Sequence, residues 1–255
     1  MPRPRLMPAL LPAFLLSLAA AAVAANPLLP GVGEADPRRG VDVSAAPWRA
    51  FGRVQTELGG RCTGVLVGPR HVLTAAHCLV APRAAALVQP GSVHFLRGYR
   101  MGEWTGQARV VAYRTGPGFE AARRGPAGAD WALLTLDRPL GEADEALPLL
   151  RVAPAPGTAL LLGGYQQDRP EVLMADSGCR VLAAAPLLLH DCAGTRGSSG
   201  APLLVAEGAG WAVAGVAVGV ARDRPLGIAV PAAALPAPPP PPSGPSVPPS
   251  RPAPP

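Results

Sequence analysis

With 255 residues, 49% of them hydrophobic, the chain can bury a sizeable core in one domain or two small ones, which excludes a disordered protein. The formal charge of +6 is carried by arginine with no lysine, and the arginines are scattered rather than gathered with interleaved aromatics, which argues against a nucleic-acid partner. Alanine, proline and arginine are heavily used in every kind of segment, so pattern outranks propensity as a guide to structure in this chain.

Residues 1–25 run from Arg3 and Arg5 through an apolar block to Val23-Ala24-Ala25, the layout of a cleavable secretory signal. Cleavage near Ala25 would export the remainder, secreted or periplasmic, with no stable membrane insertion afterwards. A retained anchor is the alternative, and Pro8, Pro12 and the small-residue ending weigh against it. Residues 26–47, NPLLPGVGEADPRRGVDVSAAP, are rich in Pro and Gly and are expected to form an exposed leader or a removed propeptide.

The folded body is expected over residues 48–231. Its apolar runs are short and punctuated by Gly and Pro: CTGVLVG, SVHFLRG, ARVVAY, WALLTL, ALLLGGY, CRVLAA, PLLLHDC, APLLV, GWAVAGVAVGV and GIAVP. Strand-length segments without a sustained helical period point to an all-β sandwich or barrel. Residues 232–255, AAALPAPPPPPSGPSVPPSRPAPP, have little to bury and are expected to be a disordered Pro-rich tail.

Cys62, Cys78, Cys179 and Cys192 are an even number in an exported chain, so disulfides are the default. Three connectivities are possible. Pairing neighbours closes short loops with separations of 16 and 13 residues, worth roughly 3 kcal/mol each on the chain-entropy model, and gives Cys62–Cys78 and Cys179–Cys192. A metal site using His77 lacks the paired ligand spacing such sites need, and no metal or organic cofactor is expected.

The stretch VLTAAHCLV, residues 72–80, sets a histidine at the end of an apolar run. In GTRGSSGAPLL, residues 194–204, a serine near glycines suits a tight turn whose backbone N–H groups converge. In GADWALLTL, residues 128–136, Asp130 stands at the polar entrance to an apolar strand, a position suited to a carboxylate behind an imidazole.

Taken in order, CTGVLVGPRHVLTAAHC, DWALL and GSSGAP resemble the secreted trypsin-like serine proteases of the chymotrypsin fold, most of all their bacterial members. The resemblance covers roughly residues 48–231. It implies two packed six-stranded antiparallel β-barrels, the first ending near Arg138, and a monomer that cleaves protein or peptide substrates. It also implies roles: His77 as general base, Asp130 to fix its tautomer, Ser199 as nucleophile, and the amides of Gly197 and Ser199 as oxyanion hole.

Ser198 and Asp137 are rivals for two of these roles. Only Ser199 has glycine two residues before it and proline three after it; Asp137, beside Arg138 and Pro139, is expected in a solvated turn. The animal digestive enzymes carry an aspartate where this chain has Ser198, so activation by an ion pair at that position is not expected. The resemblance puts Ala193, Ala217 and Gly219 at the specificity pocket, implying small or medium apolar side chains before the scissile bond. A shortened loop could instead bring in Asp191, and Arg196 near the rim could favour acidic peptides. His71, His94 and His190 have no motif around them and are expected to be surface or packed histidines. The competing functional reading is a catalytically dead, protease-like binding protein at the cell surface.

Overall fold

The computed structural model describes residues 29–222 and 224–239. The expected signal peptide, leader residues 26–28 and tail residues 240–255 lie outside the described residues. Among the described residues no helix is long and apolar enough to cross a membrane.

A two-residue strand, β1 (Arg39–Gly40), precedes the first barrel, which comprises β2 (Phe51–Thr56), β3 (Arg61–Gly68), β4 (His71–Thr74), β5 (Val93–Arg97), β6 (Gly106–Thr115) and β7 (Ala132–Leu136). These six close antiparallel in the order β2-β3-β4-β7-β6-β5. After a connection over residues 137–158 come β8 (Ala159–Gln166), β9 (Arg169–Ala183), β10 (Leu188–His190), β11 (Pro202–Glu207), β12 (Gly210–Val220) and β13 (Gly227–Pro231). They pair in the order β9-β10-β13-β12-β11-β8, and pairing of β8 with β9 closes the second barrel. The architecture is thus the all-β pair of six-stranded antiparallel barrels that the resemblance implied.

Apolar alternation accounts for the barrel interiors. In β6, Ala108 and Val110 point inward while Arg109 and Val111 are exposed. One apolar cluster runs from Phe51, Leu66, Phe95 and Leu134 of the first barrel to Leu204, Val213, Val216 and Val230 of the second, so the interface between barrels is itself core. A separate cluster fills the second barrel with Leu160, Leu162, Val181, Leu188 and Leu203 around Ala212, Ala214, Ala217 and Ala229. Burying each leucine contributes about 2 kcal/mol, and the alanines fill what room the larger side chains leave.

Two boundaries differ from expectation. The leader is not an exposed arm: Gly31, Val32 and Arg38 are buried, Gly31 O accepts the N–H of Gly194, and β1 pairs with β9 at Arg39–Ala175 and Gly40–Met174. Proline and glycine here set an irregular path across the second barrel instead of freeing the segment, because Arg38 is held by Asp168 and Gln166 of that barrel. At the other end, Ala232 and Leu235 are buried and Arg151 Nη1 donates to Leu235 O at 3.0 Å, so the body reaches residue 235 and the expected tail loses its first four residues.

Candidate active site

His77 lies on a 3-10 turn, Ala76–Leu79, that follows β4, and Asp130 lies between another such turn, Ala127–Ala129, and β7. β4 and β7 are antiparallel neighbours with Thr74 opposite Ala132. The residue three beyond Thr74 and the residue two before Ala132 therefore leave the sheet at the same end. Asp130 is 3% exposed and holds His77 twice: Oδ1 accepts the backbone N–H at 2.8 Å, and Oδ2 lies 2.6 Å from ring Nδ1. A carboxylate at Nδ1 places the proton of the neutral imidazole there and leaves Nε2 as an acceptor.

The serine loop comes from the second barrel and is tied to the first. Thr63 of β3 donates its N–H to Ser199 O at 3.0 Å, and its hydroxyl donates to Gly197 O at 2.9 Å while accepting the N–H of Tyr165. Cys62 and Cys78 are bonded, and Cys78 Sγ lies 3.8 Å from Ser199 O, so one disulfide touches both the histidine turn and the serine backbone. Cys179 and Cys192 are bonded as well. The two sulfurs beside His77 are bonded to each other and so offer a cation no thiolate.

The glycines on either side of the two serines are required by geometry. Gly197 has φ +93°, and a Cβ there would sit 2.3 Å from Tyr165 O; Gly200 has φ +79°, and a Cβ would sit 2.1 Å from Thr74 Oγ1. Between them the two serines differ. Ser198 is buried, and its N–H and hydroxyl both go to Thr195 O, at 3.0 and 2.6 Å. Ser199 is half-buried, and among the described residues neither its amide nor that of Gly197 donates to a protein acceptor. Asp137 is exposed and accepts the N–H of Arg109.

Ala193, Ala217 and Gly219 all fall on the second barrel beside this loop. Ala193 is buried and its N–H donates to Asp176 Oδ2 at 2.8 Å; Ala217 accepts the N–H of Gly200 at 2.8 Å; Gly219, half-buried, lies opposite Ile228 in the pairing of β12 with β13. Asp191 spends Oδ1 on the backbone N–H of Arg180 at 2.6 Å. Arg61 and Arg196 are exposed and line a cavity of about 240 Å³ with Tyr165, Gln167, Pro170 and Gly197. Sequence reasoning passed over Thr63, Gln166 and Asp176, which hold the loop without touching its solvent side; only Thr63, next to Cys62 in the run CTGVLVG, left a local signal.

Comparison with known proteins points the same way. A curated glutamyl endopeptidase of Bacillus licheniformis is 26% identical over 144 residues, 54% of this chain and 42% of that protein, so the match spans under half of the relative's length. Among solved structures, a Glu endopeptidase superposes with a TM-score of 0.69 at 21% identity, covering 79% of this chain and 93% of that one. A protease, Anisep, from Arthrobacter nicotinovorans gives 0.57 at 20% identity, covering 76% and 93%. These likenesses show a shared fold. The profile of the trypsin-like peptidase domain matches residues 62–216, more than half of the chain and inclusive of the histidine turn, the aspartate and the serine loop: the chain belongs to the trypsin-like peptidase family.

Proposed function

We propose that the chain is a secreted serine endopeptidase in which His77, Asp130 and Ser199 act as a triad. Ser199 Oγ attacks the scissile carbonyl carbon as His77 Nε2 takes the hydroxyl proton. The N–H groups of Gly197 and Ser199 stabilise the oxyanion. His77 then gives its proton to the leaving amine, the C–N bond breaks, and Ser199 is left as an ester. Water, deprotonated by His77, hydrolyses that ester and restores the serine.

The observation that carries this reading is the double grip of Asp130 on His77, through backbone and ring, at 2.8 and 2.6 Å. A binding protein that had lost catalysis would have no use for a buried carboxylate that fixes one imidazole tautomer. Small residues at 193, 217 and 219, and the commitment of Asp191 to Arg180, support small or medium apolar side chains before the scissile bond. An acidic preference has one observation in its favour, the pair Arg61 and Arg196 beside Gly197. It accords with the name of the Bacillus licheniformis relative. Chromogenic peptides ending in Ala, Leu, Arg or Glu separate the two. Fastest cleavage after Ala or Leu is expected, fastest cleavage after Glu would favour the acidic reading, and fastest cleavage after Arg would overturn both.

A further inference from the structure

Arg38 has no part in the triad, yet its side chain is fully buried. Its guanidinium makes two forked contacts. Nε and Nη2 donate to Asp36 at 2.8 and 2.9 Å, and Nη1 and Nη2 donate to Asp168 at 3.1 and 2.8 Å. Nη1 also donates to Gln166 Oε1 at 2.5 Å. Burial alone would lower the affinity of Arg38 for its proton, but the two carboxylates more than reverse this and raise it above the ordinary arginine value.

Gln166 is fully buried, and the same Oε1 accepts the N–H of Thr195 at 2.8 Å. With two donors on one side of the amide, its oxygen must face them. Gln166 Nε2 is left buried and without a partner among the described residues, a cost accepted only because that orientation is enforced. Thr195 O in turn receives both the N–H and the hydroxyl of Ser198. An unbroken chain of hydrogen bonds thus runs from Arg38 through Gln166 and Thr195 to Ser198, the residue between the two amides assigned to the oxyanion. The leader touches the same loop a second time where Gly31 O accepts the N–H of Gly194 at 2.9 Å.

We infer that Arg38 is a positioning residue for the oxyanion loop, acting through Gln166 and Thr195, and that the leader segment bearing it is an integral part of the catalytic domain. The inference rests on the serine-protease reading of the site. A buried guanidinium between carboxylates adds little net stability compared with an apolar cluster. What the planar fork does supply is a single permitted geometry. Without it Gln166 is free to turn its amide, and Thr195 loses the acceptor that sets the height of the loop. Triad residues His77 and Asp130, on the other barrel, are untouched by that loss.

The test uses the full chain carrying Arg38→Ala, assayed beside the wild type with the peptide that the wild type cleaves best. Because oxyanion stabilisation is expressed in the transition state, kcat should fall on the order of 100-fold while KM changes by less than about threefold. The pH midpoint of kcat/KM should not move. Added ethylguanidinium chloride should restore at least about a tenth of wild-type kcat, and ethylammonium, which lacks the fork, should not. Gln166→Leu, which leaves both ion pairs in place, should show the same fall without rescue, and it carries the test if Arg38→Ala does not fold. Folded variants with kcat within about twofold of wild type would overturn the inference, as would a loss of activity that follows the folded fraction and ignores guanidinium. A wild-type chain that hydrolyses no peptide sinks the protease reading together with this one, whereas an active wild type with unaffected variants sinks this one alone.

Discussion

At the scale of single residues, Asp130 is worth more as an orienter than as a charge. Asp130→Asn keeps the size and the hydrogen bond to the backbone N–H of His77, but an amide NH2 facing Nδ1 would force the ring proton to Nε2. In the proposed mechanism the ring would then have no lone pair at Nε2 to take the hydroxyl proton of Ser199. We expect kcat to fall about 10⁴-fold at neutral pH with the melting temperature nearly unchanged, and a loss of under about tenfold in steady-state assays would contradict the role. His190 presents a different case. Burial, partly opposed by Asp191, pushes its pKa down to about 4, and the N–H of Cys192 donates to Nδ1, so the ring proton sits on Nε2, which has no partner among the described residues. The unfolded chain protonates near the ordinary value of about 6.5 and the native one does not, so stability is complete above that pH and declines as pH falls toward 4. The decline is about 1.4 kcal/mol per pH unit. Urea unfolding at pH 7 and pH 5 should show it in the wild type and show much less of it in His190→Leu; equal slopes would contradict the assignment. The pairing of Asp130 with His77 and the packed nature of His190 were legible from short motifs or from their absence. Arg38 was not, because it meets Gln166 and Asp168 across sequence separations of 128 and 130 residues, and no local pattern records such a pairing.

At the scale of elements, the sequence pattern delivered the barrel strands bounded by glycine and proline and omitted two of the twelve, β2 and β4. Both omissions have one cause. FGRVQT and HVLT are buried along almost their whole length, between the barrel interior and neighbouring segments, so they lack the alternation by which a half-exposed strand is recognised. Arg53 within β2 deepened the difficulty: it reads as a solvent-facing residue but lies 6% exposed with its guanidinium 3.6 Å over the ring of Tyr99. The Cys62–Cys78 bond joins β3 to the histidine turn over a separation of 16 residues. Replacing both cysteines by alanine should cost about 3 kcal/mol in denaturant unfolding. It should also lower kcat, because the bond lies between the turn of His77 and the carbonyl of Ser199. A variant with normal stability and kcat would show that Thr63 alone joins the two.

At the scale of the whole molecule, the site belongs to neither barrel. The histidine and aspartate come from the ends of β4 and β7, the serine loop from the segment before β11, and Thr63 stitches them together across a continuous apolar interface. The leader, expected from composition to be exposed or removed, packs against Gly194 and Gln166 of the second barrel's side of that site. Composition failed there because it registers the lack of an apolar face and is blind to a single buried guanidinium. Ser199, and not its buried neighbour Ser198, is the proposed nucleophile activated by His77. Incubation of the folded protein with a fluorophosphonate, followed by peptide mass mapping, addresses it directly. The expected result is one adduct, on Ser199, lost in His77→Ala; an adduct on Ser198, or none on the folded wild-type chain, would rule out Ser199 as the nucleophile.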